Sequence, residues 1–191
     1  HAFLKDNENI LCRSFPSDPE STTARIAVDA SPWGIGGILI HNGRVTHYFA
    51  DKLGEADELL FGKSIGISDH ISTWETLAIL IALRCWRPVL SQGTTVEVRS
   101  DSMVALSVLH KGRSGDRVIN NLVANILLEE SASSKMIGLL SHIPGIVNTL
   151  PDSLSRLWAP SPKNVPSTGL SGATHSIAQK RGSTFLRVSL E

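Results

Sequence analysis

Wound as a helix, the run from Ser72 to Pro88 is apolar on nearly every side, through Trp74, Leu77, Ala78, Leu80, Ile81, Leu83, Cys85 and Trp86. A helix without a polar face must be covered all round. In a chain of 191 residues the natural cover is a sheet on one side and further helices beside it. Ser72-Thr73-Trp74-Glu75 has the spacing of a capping box, and Pro88 ends the run.

The sheet is legible on both sides of that helix. Arg25-Ile26-Ala27-Val28-Asp29-Ala30 alternates as a strand, and Ser31-Pro32-Trp33-Gly34 turns it back into a second strand near 36–41. His41-Asn42-Gly43 is a hairpin signal that leads into a third strand over 44–50. Residues 51–71 read as a long connection with a short helix near Glu55–Phe61. After the apolar helix, 94–101 alternates as a strand and a short helix over 102–110 follows at once, a strand–helix unit of the α/β type. A helix over 117–131, a strand over 136–143 and a last helix from Leu150 to Trp158 complete the core. Three antiparallel strands followed by parallel ones, flanked by helices, make a five-stranded mixed sheet. Residues 1–24 read as a lead-in or linker and 25–158 as one domain. Residues 159–191 are Pro/Ser-rich and then basic, with no periodicity, and are expected to be disordered.

Composition narrows the functional classes. Eighteen basic residues balance eighteen acidic ones, so net charge gives no sign of a nucleic-acid partner. Cys12 and Cys85 are too few for a disulfide framework or a zinc site. The longest apolar run, Leu77 to Leu83, is far too short for a membrane span, and no secretory signal opens the chain. The first residue is His1, which suits a piece of a longer polyprotein.

Chemistry is carried by four carboxylates at element ends. Asp29 closes the first strand, Glu75 opens the long helix, Asp101 closes the fourth strand and Asp152 opens the last helix. Each has a structural explanation. Asp29 suits a turn, Glu75 the capping box, Asp101 the cap of the helix at Ser102, and Asp152 the helix dipole. Four such ends can also converge, and carboxylates brought together call for divalent cations with oxygen ligands.

Asp29-Ala30-Ser31-Pro32-Trp33-Gly34-Ile35-Gly36-Gly37, Trp74-Glu75-Thr76-Leu77-Ala78, Ser100-Asp101-Ser102 and His142-Ile143-Pro144-Gly145 through Asn148 to Pro151-Asp152-Ser153-Leu154-Ser155-Arg156 occur in that order. Together they resemble the ribonuclease H domain of retroelement reverse transcriptases, of the LTR and tyrosine-recombinase retrotransposon type. The resemblance covers about residues 25–158 and implies a ribonuclease H-like fold. It further implies two-metal hydrolysis of the RNA strand of an RNA–DNA hybrid, with two Mg²⁺ (or Mn²⁺) about 4 Å apart. Asp29 would bridge the metals, Asp152 would help hold the one that carries the attacking water, and Glu75 and Asp101 would hold the other. Asn148 and Ser102 are candidates for support behind these ligands. Implied partners are the hybrid and an adjoining polymerase domain, with no membrane, at an intracellular location (cytoplasm, nucleus or retroelement particle).

Pro151 departs from the alanine usual in the family, and a first helical turn accepts it. His142 reads as a strand position and not as a proton shuttle. Lys111, Arg113 and Arg117 are candidate phosphate contacts, or ordinary solvated loop charges. The main alternative function is a catalytically inactive ribonuclease H-like module that binds nucleic acid or serves as a scaffold, a decayed or connection-type domain. The retention of all four acids weighs against it. Integrase-type transferases and exonucleases on the same core place their carboxylates at other spacings, and a kinase-like or actin-like ATPase needs two such domains.

Overall fold

The computed structural model describes residues 23–132 and 136–187. Strands β1 (Thr23–Ser31), β2 (Gly34–His41) and β3 (Arg44–Lys52) form an antiparallel meander. Asn42 and Gly43, both at positive φ (52° and 74°), make the tight turn their sequence predicts. Helix α1 (Glu55–Phe61) leads to α2 (Ile71–Trp86). Then follow β4 (Thr95–Ser100), α3 (Met103–Lys111), α4 (Arg117–Ser131), β5 (Met136–His142) and α5 (Thr149–Ser155). Strands β4 and β5 run parallel to β1 on its other side. The sheet order is β5-β4-β1-β2-β3-β6, with β6 (Thr174–His175) a short strand at the edge, so β1 sits near the middle.

Alternation along β1 decides which layer each side chain joins. Ala24, Ile26, Val28 and Ala30 face the larger core with Leu77, Leu80 and Ile81 of α2, Leu106 of α3 and Leu122 and Ile126 of α4. Ala27 faces the other way, to Ile38 and Leu154 under α5. The apolar helix is enclosed as its sequence demands, with Trp74, Leu77 and Trp86 fully buried.

The mixed sheet flanked by helices is as expected, with two departures in the C-terminal part. The sheet has a sixth strand, β6 (Thr174–His175), parallel to β3 and prolonged by Ser176 N–H donating to Tyr48 O at 2.7 Å. Residues 160–187, expected to be disordered, pack back on the domain. Phe185 lies fully buried in the main core, edge-on to Phe61 with its ring 6.3 Å away. Arg84 reaches across to donate to Phe185 O at 2.8 Å. Trp86 Nε1 donates to Ser176 Oγ at 3.0 Å. Arg181 is ion-paired to Asp51 and to the buried Asp57 of α1. Burial of the Phe185 ring alone contributes about 2–3 kcal/mol, which holds a segment of otherwise loop-forming composition. The lead-in over 1–22 and the last residues, 188–191, lie outside the described residues, as does Cys12.

Candidate active site

Three of the four acids lose their structural explanation in the fold. Asp29 is no turn residue, because it stands within β1 opposite Gly36 of β2. Glu75 is not half of a capping box. Helix α2 is entered through a 3-10 turn at Ser68–His70, its N-cap is His70, and no side chain caps it. Asp101 does not cap α3, since Ser102 does so by accepting Ala105 N–H at 3.1 Å. Asp152 keeps a local partner, Arg156, at 2.6 Å one turn later.

Register places Asp29 and Asp101 side by side. Ala27 pairs with Arg99 across the parallel β1–β4 ladder, so two residues on, both carboxylates leave the C-terminal ends of neighbouring strands. That edge is where open α/β sheets carry their ligands. Asp29 falls between the core residues Val28 and Ala30 and therefore points to the α5 face. There Ser155 Oγ donates to Asp29 Oδ2 at 2.5 Å.

Glycines allow α5 to lie this close. A Cβ on Gly36 would stand 2.6 Å from Leu154 Cβ and 2.7 Å from Ser155 N, and one on Gly34 would stand 2.7 Å from Ser155 O. Ser31 Oγ donates to the same Ser155 carbonyl at 2.7 Å. The Asp-Ala-Ser-Pro-Trp-Gly-Ile-Gly sequence is thus a bare platform for α5. Asn148, fully buried, ties three elements together. Its side-chain Nδ2 donates to Val28 O of β1 at 3.0 Å and lies 3.5 Å from Asp101 Oδ1, and its backbone carbonyl accepts Asp152 N–H of α5. Pro151 occupies the third position of α5, still among the residues whose N–H has no helical partner. Gly145 crosses over Asp101, with its Cβ position 3.0 Å from Oδ2.

The carboxylates act on one another. Burial pushes Asp29 up to about 7, opposed by the Ser155 hydrogen bond and reinforced by Asp101 and Asp152. Burial pushes Glu75 up to about 9, with the charges of Asp29 and Asp101 adding to it. Glu75 Oε2 is buried and has no hydrogen-bond partner. For Asp152 burial acts upward too, but hydrogen bonds from Arg156 and Lys163 outweigh it and hold the carboxyl below the ordinary range. This donor set is hard oxygen throughout, partly unsatisfied and mutually repelling, and it fits a hard divalent cation. Among the described residues no three His, Cys, Asp or Glu side chains form a ready-made ligand cluster. Like charges hold one another apart, and Asp152 is turned to its two cationic partners.

Stability should report the strain directly. Below pH 4.5, the ordinary carboxyl value, Glu75 is protonated in folded and unfolded chains alike. Between there and about 9 the unfolded chain releases a proton that the folded chain retains, so stability falls as pH rises. Glu75→Gln removes that slope. In metal-free buffer its melting temperature should match the parent near pH 4 and exceed it by several degrees at pH 8.

Other expected residues fall elsewhere. Lys111 and Arg113 are exposed at the far end of α3, a helix of nine residues and therefore about 13 Å long. Arg117 opens α4 beyond them. The fold does not bring these three beside the carboxylates. His142 ends β5 opposite Ser100, a strand position as its sequence suggests. Sequence reasoning gave no role to Ser155, Arg156 or Lys163. The i,i+3 and i,i+4 spacing from Asp152 was the available signal for the first two, and none existed for Lys163.

No protein-family model matches the sequence, and a comparison with curated proteins finds no match. Solved structures do resemble it. RNase H1 from the halophilic archaeon Halobacterium salinarum superposes with a TM-score of 0.53 at 15% identity, over 70% of this chain and 93% of that one. LC11-RNase H1 in complex with an RNA/DNA hybrid gives 0.55 at 20% identity, over 69% and 92%; the same enzyme is described as isolated from compost by a metagenomic approach. The N-terminal RNase H domain of a Mycobacterium tuberculosis protein gives 0.54 at 13% identity, over 69% and 95%. The chain has a ribonuclease H-like fold. Among the described residues no helix is long and apolar enough to cross a membrane.

Proposed function

We propose that this chain is a metal-dependent endonuclease that hydrolyses the RNA strand of RNA–DNA hybrids, as the ribonuclease H part of a retroelement reverse transcriptase polyprotein. The observation that carries this reading is that Asp29 and Glu75 are buried with raised carboxyls on which the charge of Asp101 acts, while Asp152 acts on Asp29 from α5. A structural neighbour was solved with an RNA/DNA hybrid, which supports the substrate class. The ordered motifs from Asp29 to Arg156 support the retroelement setting, an adjoining polymerase domain and an intracellular location.

Asp29, Glu75, Asp101 and Asp152 would hold Mg²⁺ or Mn²⁺, which when bound supplies an activated water and neutralises charge at the leaving oxygen. The chain's own residues set the frame for that chemistry. Ser155 fixes one oxygen of Asp29, leaving the other for a ligand. Asn148 keeps β1, Asp101 and the start of α5 in one arrangement. Ser102 begins α3 immediately after Asp101 and so fixes where that carboxylate leaves the strand. Lys111, Arg113 and Arg117 supply positive charge a helix length away. Phosphates recur along a duplex, so a bound hybrid extends that far, and it would be recognised by backbone shape and 2′-OH groups more than by bases.

The test is cleavage of an end-labelled RNA–DNA hybrid in Mg²⁺, with Asp101→Asn alongside. Cleavage confined to the RNA strand and lost in the variant supports the proposal. A second reading is favoured by the engagement of Asp152 with Arg156 and Lys163: a binding module without catalysis. Hybrid binding with no cleavage in Mg²⁺ or Mn²⁺ would select it.

A further inference from the structure

Asp152 differs from the other three carboxylates in its company. Its Oδ1 accepts Arg156 Nε at 2.6 Å, and its Oδ2 accepts the ammonium of Lys163. Glu75, by contrast, keeps a buried oxygen with no partner. Lys163 does not belong to α5. It lies eleven residues beyond Asp152, in the segment that returns over the helix.

That return is built into the packing. Ala159 N–H donates to Arg156 O and closes the end of α5. Val165 and Leu170 pack with Leu150 and Leu154 on the α5 side of the sheet. The Cβ position of Gly169 lies 3.2 Å from Leu150 Cδ2. Pro160, Pro162 and Pro166 limit the conformations of the span between. Farther on, β6 and the buried Phe185 anchor the segment to β3 and the main core. A lysine on a chain pinned at both ends is held near Asp152 at high effective concentration.

We infer that Lys163 is a tethered counter-ion of Asp152 that competes with a divalent cation for this carboxylate. The inference rests on the proposed metal site. An Asp152 oxygen that accepts the ammonium is not free to bind a cation, so loading of this part of the site requires the lysine to leave. The lysine side chain is 53% exposed, and exposed pairs are weak. Lys163 therefore raises the cation concentration the site needs without closing it, and anything that lifts the segment over α5 would lower that concentration.

The test is calorimetric titration of the 191-residue chain with Mg²⁺ and with Mn²⁺, with no nucleic acid present. K163Q should tighten the cation-binding step that Asp152→Asn removes by about two- to fivefold. K163R, which keeps the charge, should stay near the parent, and equal melting temperatures would exclude a folding effect. Unchanged or weaker binding in K163Q, or K163R behaving like K163Q, overturns the inference. Because the titration involves no substrate, its failure is separable from that of the hydrolase reading. Cation binding tightened by K163Q in a chain that leaves hybrids uncut keeps the counter-ion and discards the hydrolase. Hybrid cleavage with a titration indifferent to K163Q does the reverse. A chain that binds neither cation overturns both.

Discussion

Asp29→Asn is expected to reduce cleavage of the RNA strand by on the order of a hundred- to a thousandfold while leaving the chain folded. Asp29 stands on β1, near the middle of the sheet, and the charges of Asp101 and Asp152 act on it while it acts on Glu75. Asparagine has nearly the same shape, and its carbonyl still accepts Ser155 Oγ, so packing under α5 is retained. What it lacks is the second anionic oxygen that a cation shared with the neighbouring acids needs. Loss of activity without loss of structure is therefore the expected result.

Stability should move the other way in the same variant. The Asp29 carboxyl is raised from 3.8 to about 7. Below 3.8 both states are protonated. Above it the unfolded chain ionises first, so the parent loses stability up to about pH 7 and little more beyond. Asp29→Asn should erase that loss and melt a few degrees above the parent at pH 7.5 without metal. Part of the gain is shared with Glu75→Gln, since the two groups titrate together, so the double variant should gain less than the sum. Saturating Mg²⁺ should reverse the order, because only the parent gains binding energy from the cation. A variant that cleaves at the parental rate would remove Asp29 from the site.

Most of the core was legible because its elements announce themselves locally. The alternation of Ile26 and Val28, the Asn42-Gly43 turn and the apolar helix ending before Pro88 each fix an element within about two residues of its observed bounds. The four acids stood out in the sequence only as a set, since each one alone matched a common structural use. One of those uses was an accident of spacing. Ser72 and Glu75 fit a capping box, yet α2 begins at Ile71 behind a 3-10 turn, which puts Ser72 inside the helix. Residues 160–187 were not legible at all. Their anchors are Ser176, Arg181 and Phe185, single residues whose partners, Trp86, Asp51 with Asp57, and Arg84, lie far away in sequence. A period-based reading responds to repeated apolar positions and is blind to isolated long-range anchors. Lys163 was missed for the same reason.

Gly36→Ala should cost about 2–4 kcal/mol of stability and disable the site together with the fold around it. The backbone conformation is no obstacle, because Gly36 is not among the glycines at positive φ. The obstacle is space. The new methyl would lie 2.6 Å from Leu154 Cβ, 2.7 Å from Ser155 N and 2.8 Å from Pro151 O, and two of those three atoms are α5 backbone. Neither a rotamer change nor a flexible tip can relieve such contacts, so α5 must lift from the β1–β2 platform. It carries Asp152 and Ser155 with it, and Ser155 is the residue that orients Asp29. Displacement of about 1 Å between catalytic groups costs about a hundredfold in rate, so activity should fall even at temperatures where the variant stays folded. Gly115→Ala is the matched control. Gly115 is exposed, is not at positive φ and has nothing within 4 Å of its Cβ position, and its substitution should change stability by less than about 0.5 kcal/mol. Urea unfolding of the two variants measures the difference. A parental midpoint for Gly36→Ala would mean that α5 does not rest on this strand pair, and the convergence of Asp152 with Asp29 would lose its structural basis.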